Sequence, residues 1–327
     1  MKKLESYLER FAKLRSDSSR SRWPATTYYR APHKPVLLLA VIDLIAEGTV
    51  SANLIEITPD LGELFTLYWS RVMPPDQRGN LALPFFHLKS DGFWHLMPQP
   101  GKKVIVEGSD QIKSVHRLRE LIVGARLDEE LYQLLQNDRS REQLRALLIE
   151  KYFSPELHPG LLEQGIINIE AYKYSQNLLE QARKQIDSEP LSIGQAVRPA
   201  ARDQGFRRAV VTAYDHRCAV CGVRMLTADG HTVVDAAHIK PWSVNFNDNP
   251  RNGMALCKLC HWTFDEGMIS VSAKYVVLPS PQLSANHNIP GHVVTLANRK
   301  IIGPEEESLW PDLDALSWHR QNVFRSR

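Results

Sequence analysis

Apolar positions recur at helical spacing over the first fifteen residues, placing Leu4, Tyr7, Leu8, Phe11 and Leu14 on one face. A polar Ser/Arg stretch follows. Pro35 then opens an apolar run from Val36 to Ala46 that closes before Gly48, which predicts a buried helix with His33 and Lys34 at its N-terminus. Leu61 to Trp69 predicts a second amphipathic helix. Between Leu81 and Leu96 two aromatic-rich runs flank Asp91-Gly92, a β-hairpin signal. Helical periodicity returns over His116–Ala125, Asp128–Gln136, Ser140–Phe153 and Asn168–Ile186. Asp187 to Arg202 has linker composition. Beyond it Phe206, Val210, Ala213 and Tyr214 share one side of a helix, Met268 to Val271 reads as a strand, and Trp310 to Phe324 reads as a helix with His319 and Arg320 exposed. The expected fold class is α+β. A mainly helical domain with a small hairpin or sheet occupies 1–186, a linker 187–202, and a second domain 203–327.

A length of 327 residues suits two domains. The net charge of +3 announces no global basic field. Residues 1–34, however, carry nine Lys and Arg against three acidic residues, a local excess that would attract phosphates. A solvated face explains that excess equally well. For Arg117, Arg119, Arg126, Arg139, Arg141 and Arg145, solvated helix faces are the simpler account. The apolar run Val36 to Ala46 contains Asp43 and is far short of the roughly 20 residues that span a bilayer. The first ten residues are charged throughout and hold no signal-peptide core. The expectation is a soluble, cytoplasmic protein with no membrane partner. With no P-loop or dinucleotide fingerprint, energy-coupled translocation is not expected.

The four cysteines fall into two pairs, Cys218-x-x-Cys221 and Cys257-x-x-Cys260. Two C-x-x-C pairs match tetrahedral zinc, each pair reaching the metal from one tight turn. The 35 residues between the pairs exceed the usual ribbon spacing of roughly 15–20, so the metal closes a larger loop. That loop holds Asp235-Ala-Ala-His238-Ile and Asn252-Gly253, and His261 directly follows the last cysteine. The zinc reads as a structural staple for a site.

His238, Asn252 and His261 in this order, flanked by C-x-x-C pairs, resemble the HNH nucleases with their ββα-metal core. The resemblance implies that His238 is the general base, that Asn252 orients the base-bearing loop, and that His261 is a ligand of a catalytic divalent metal, Mg2+ or Mn2+. Phosphodiester hydrolysis wants these types: an imidazole to take a proton from water, and a cation to neutralise the developing phosphorane. Many members carry an acidic metal ligand where this chain has Ala237. Asp235, or Asp265 four residues after His261, could supply the missing oxygen. Arg207, Arg208 and Arg217 offer phosphate contacts, and His319 and Arg320 could face DNA.

The N-terminal half adds Ala31-Pro-His33-Lys34-Pro35 before the Leu-rich helix, then Leu83-Pro84-Phe-Phe-His-Leu-x-Ser-Asp-Gly-x-Trp94. Together these resemble the sulfur-binding domain of phosphorothioate-dependent, type IV restriction endonucleases, which place such a reader ahead of a zinc-stapled HNH domain. The resemblance implies double-stranded, phosphorothioated DNA as partner. It implies a pocket in which Pro84 is the family's proline, His33 and Lys34 its basic pair with Arg30 beside them, and Leu83 stands in the tyrosine's place. His87 stands where a small residue is expected. A sulfur atom is large, soft and weakly hydrated, so an apolar pocket admits it and rejects a phosphate oxygen. One HNH site cuts one strand, so a double-strand break implies a homodimer. Two rivals stay open: a nuclease whose reader recognises methylated or unmodified DNA, with Phe85, Phe86 and Trp94 as an aromatic cage, and a non-catalytic zinc-stapled DNA-binding module.

Overall fold

The protein is described by a computed structural model covering residues 2–103, 106, 112, 114–184, 197–227, 230–285 and 288–326. Its contacts divide into two compact units, Met1–Ile169 with Thr227–His231, and Glu170–Leu226 with Thr232–Arg327.

The first unit is built on an apolar helix. Helix α1 (Lys2–Ala12) precedes α2 (His33–Glu47), in which Val36 to Ile45 are buried on every side, as a helix surrounded by others must be. Gly48 ends α2 in left-handed backbone, φ 78°, the conformation a glycine adopts without penalty. Helix α3 (Pro59–Val72) starts where Thr58 accepts a hydrogen bond from the Leu61 N–H. A three-stranded antiparallel sheet has the order β1 (Ile55–Glu56), β3 (Ile122–Leu127), β2 (Trp94–Pro98).

The hairpin expected between Leu81 and Leu96 does not form. Ala82–His87 is helix α4, followed by a 3-10 turn over Leu88–Asp91, and only β2 is extended. Asn80 Oδ1 caps the helix by accepting from the Ala82 N–H at 2.9 Å, and Pro84 deprives the run of a donor that a ladder would need. Leu81, Phe85 and Leu88 then bury at helical spacing. Gly92, φ 81°, turns the chain into β2, whose partner is β3. The helix expected over His116–Ala125 is likewise cut short: α5 (Val115–Leu121) stops at β3, where Ile122, Ala125 and Leu127 fill the core.

Helices α6 (Glu129–Gln136) and α7 (Asp138–Tyr152) follow, then α8 (His158–Arg183), which begins ten residues before the expected Asn168. Its expected end at Ile186 and most of the expected linker lie outside the described residues. The linker's last four residues, Pro199 to Arg202, form the first turn of α9 (Pro199–Ala213). Residues of α8 from Glu170 onward pack with the second unit, burying Tyr174, Leu178 and Ala182 there.

In the second unit α9 lies on the antiparallel pair β4 (Val234–His238) and β5 (Gly253–Cys257), joined through a loop that holds the short helix α10 (Trp242–Asn245). Helix α11 (Lys258–Asp265), strands β6 (Ile269–Val271) and β7 (Val277–Pro279), and α12 (Leu313–Asn322) complete it. His319 on α12 is buried, contrary to expectation. Its ring stacks on Phe264, Nε2 donates to the Phe264 carbonyl at 3.1 Å, and Nδ1 accepts from Ser270 Oγ at 2.9 Å. Burial lowers its pKa to about 4. Arg320 donates to the Val271 carbonyl. No helix among the described residues is long and apolar enough to cross a membrane.

Arg141 and Arg145, which the sequence placed on solvated faces, are buried. Arg145 Nη1 bonds the fully buried Asp43 inside α2, and Asp43 also accepts from Tyr68 Oη at 2.8 Å and Asn168 Nδ2 at 2.7 Å. Burial pushes the Asp43 carboxyl up, and these partners pull it back. Gly165 makes room: a Cβ there would sit 2.8 Å from Arg145 Nη1. Asp43→Ala should therefore cost the first unit about 3–5 kcal/mol by stranding the Arg145 charge. In the Asp43→Leu, Arg145→Met pair most of that loss should return, as read by urea unfolding.

Candidate active site and sulfur cavity

The cysteine cluster forms where two turns meet at the end of β5. Cys218 receives the Gly222 N–H on its carbonyl, and Ala219 N–H bonds Ala255 on β5, so the first C-x-x-C turn docks onto the strand that ends at Cys257. Cys260 lies in the first turn of α11. All four sulfurs lie within 4.8 Å of one another, the only group of three or more potential metal ligands among the described residues. The Cys221 and Cys257 sulfurs are 3.7 Å apart, near the edge of a tetrahedron with zinc–sulfur bonds of about 2.3 Å. Without a cation the thiols oppose one another's ionisation. Hydrogen bonds from Cys257 and Cys260 pull the Cys218 thiol down, burial pushes Cys221 up to about 12, and hydrogen bonding to Cys218 raises Cys260. The donor set fits zinc.

His238 ends β4 opposite Gly253. Its ring stacks on Phe206 of α9 at 3.8 Å and 9°. Gly253 permits this, because a Cβ there would stand 2.9 Å from the Phe206 ring and 2.6 Å from Val210. Nε2 lies 2.9 Å from Asp248 Oδ1. A carboxylate only accepts, so Nε2 carries the hydrogen and Nδ1 is left as the acceptor of the ring. Asp248 is buried and also takes the Tyr174 hydroxyl at 3.0 Å, with Arg202 Nε at 3.6 Å. The Arg202 guanidinium covers the Trp242 ring at 3.7 Å. Burial, then Asp248, pushes the Tyr174 phenol up, which keeps it a donor.

Asn252 bonds backbone instead of the imidazole. Its Oδ1 accepts from Lys240 N–H, and its Nδ2 donates to the Lys240 and Asn247 carbonyls, each at 3.0 Å. It pins both ends of the loop that carries Asp248. The sequence reading missed Asp248, Tyr174 and Arg202. A lone Asp in an Asn-rich loop gives no local signal, and the other two stand far from the motif.

His261 and Asp265 lie one turn apart on α11, with Nε2 and Oδ2 at 3.4 Å, both partly exposed. Burial raises the Asp265 carboxyl and the His261 charge lowers it. One imidazole and one carboxylate are suitable donors for Mg2+ or Mn2+. Asp235 is placed otherwise: strand alternation turns it to the face of β4 opposite His238, where it pairs with Arg207 at 3.0 Å. Arg207 and Arg208 are likewise engaged within the unit, the latter over Tyr172. Ala237 is fully buried.

In the first unit His33, Lys34, Leu83, Pro84 and His87 line one cavity of about 830 Å3, together with Arg15, Trp23, Ala31 and Arg78. Arg30 is exposed and is not among its lining residues. The expected basic pair supplies no free cation. His33 is wedged between Trp23 and Trp69, at 5.4 and 4.6 Å, and burial lowers its pKa to about 4. Lys34 is buried and paired with Asp91; burial lowers its pKa and Asp91 opposes that. Phe85, Phe86 and Trp94 are core residues, so they form no base cage.

Residues 218–272 match the HNH endonuclease family, and residues 5–167 match the ScoMcrA-like DNA sulfur-binding domain. The chain thus joins a region similar to a DNA sulfur-binding domain to a region similar to an HNH endonuclease. A solved structure described as a modification dependent TagI restriction endonuclease is similar at 24% identity, over 41% of this chain and 43% of that one, with a TM-score of 0.29. This chain thus covers less than half of that protein, and so loose a superposition carries no argument. No curated protein matches the chain.

Purified protein should contain one zinc per chain. Cys257→Ser should release it and abolish cooperative melting of the nuclease unit, since structural zinc supplies on the order of 10–16 kcal/mol in zinc-finger peptides. Zinc-free protein with an unchanged melt would refute the staple. Asp248→Asn should lower cleavage by about 10–100-fold with zinc content and DNA affinity retained, because an amide no longer fixes the imidazole tautomer. Equal activity in nuclease assays would remove Asp248 from the site.

Proposed function

We propose that this protein is a modification-dependent restriction endonuclease that recognises phosphorothioated double-stranded DNA and hydrolyses nearby phosphodiester bonds. The observation that carries the reading is the cavity around Pro84: burial lowers the pKa of His33 to about 4, and Lys34 is paired with Asp91. A phosphate oxygen entering it would lose its water and gain no free cation from that pair, whereas sulfur loses little hydration. The exposed Arg15 and Arg78 on the rim are suited to the ordinary oxygens of the same backbone.

Catalysis follows from the second unit. His238, holding its proton on Nε2 toward Asp248, takes a proton from the attacking water at Nδ1, and the Asp248 carboxylate stabilises the imidazolium that results. Asn252 keeps that loop in place. His261 and Asp265 would hold a single Mg2+ or Mn2+, which supplies Lewis-acid neutralisation of phosphate charge when bound. A double-strand break requires two such sites, hence two copies of the chain, acting in the cytoplasm where the DNA is.

Matched plasmids with and without phosphorothioate test the reading. The modified plasmid should be cut and the plain one spared, and His238→Ala should stop cleavage while binding persists. Pro84→Asn should erase the preference and leave weak, salt-sensitive binding to both. Equal cutting of both plasmids would replace this reading with a nuclease that reads unmodified DNA.

A further inference from the structure

Tyr28 and Tyr29 both hold left-handed backbone, with φ of 51° and 58°. That conformation is disfavoured for any residue with a Cβ and is ordinarily left to Gly or Asn. Tyr28 caps the 3-10 turn Ala25–Thr27, a position at which glycine would serve the fold better. The rings return little to the core, at 45% and 38% exposed. The second unit's consecutive left-handed pair, Asp215-His216, is of types that tolerate the conformation, and Asp215 Oδ1 accepts from Arg224 at 3.0 Å.

The tyrosines sit in a loop that is firmly tied. Ser18 and Arg30 form a backbone bridge, Ser19 N–H bonds the Tyr29 carbonyl at 2.9 Å, and Ala31 N–H bonds Asp17 at 2.9 Å. The Trp23 indole donates to Asp17 Oδ2 at 2.8 Å. Asp17, Arg22, Trp23 and Ala31 of this same loop line the cavity that holds Pro84. The Arg20 guanidinium stands 5.1 Å over the Tyr29 ring, and Arg20 and Arg30 are both exposed. Backbone strain held by surrounding structure, with its side chains directed to solvent, is found where a surface meets a ligand.

We propose that Tyr28 and Tyr29 form a second DNA contact of the sulfur-binding domain, engaging the nucleotides that flank the phosphorothioate. The rings lie against sugars and base edges, with Arg20 and Arg30 on adjacent phosphates. The assignment rests on the sulfur-reading function and names the surface that seats the DNA around the cavity.

The test is Tyr28→Gly with Tyr29→Gly in the full, zinc-loaded chain, without Mg2+ or Mn2+. Fluorescence anisotropy on phosphorothioated and plain duplexes of one sequence is read beside a thermal melt. Affinity for the modified duplex should fall about tenfold or more, as for loss of an aromatic anchor. The melting midpoint of the first unit should stay level or rise, because glycine relieves the left-handed strain. Unchanged affinity, or a midpoint lowered by several degrees, overturns the proposal. If the unaltered protein binds both duplexes alike, the sulfur reading is what fails, and the tyrosine contact is then judged on plain DNA by the same comparison.

Discussion

Four thiols within 4.8 Å can all lose their protons only around a cation, a condition that zinc at this site would meet. The knuckle Cys218–Cys221 docks on β5 through Ala219, and Cys257 and Cys260 straddle the join of β5 and α11. Each position that matters hangs from that join. β5 sets the register that puts His238 opposite Gly253, and α11 carries His261 one residue beyond the last sulfur. A zinc held by the four sulfurs would fasten this corner onto the core that Met254, Ala255 and Leu256 of β5 already fill.

Buried charge is handled by the same rule in both units: a carboxylate enters the interior only with its partners. Asp43 brings Arg145, Tyr68 and Asn168; Asp248 brings His238, Tyr174 and Arg202. The two differ in what the partner can do. Arg145 never releases its proton, so Asp43 is structural. An imidazole, unlike a guanidinium, can take up and give back a proton, so under the proposed mechanism Asp248 would orient His238 for proton transfer.

The sequence showed much of this through periodicity and spacing. The two C-x-x-C pairs, the buried run after Pro35 and the order His238, Asn252, His261 are local patterns, and local patterns survive without coordinates. The apolar run Leu81–Leu88 does not announce its period, because every residue type in it suits strand or buried helix; the Asn80 cap and Pro84 decide for helix. Arg145 and His319 looked like surface residues because long polar side chains usually are, and only tertiary contact reveals the carboxylate or carbonyl that receives them. Asp248 was illegible for a different reason. Its meaning comes from Tyr174, 74 residues away, and no spacing rule links them.

Tyr174 also bears on how such proteins can be taken apart and recombined. The helix His158–Arg183 gives its residues through Ile169 to one compact unit and its residues from Glu170 to the other. The natural seam for exchanging readers among nucleases is therefore inside a helix, and the stretch of linker composition after it is the wrong place to splice. A chimera joined in that stretch would import a foreign residue opposite Asp248 and carry a complete HNH motif with a misdirected histidine. Module exchange in this architecture thus selects for junctions that preserve one helical turn.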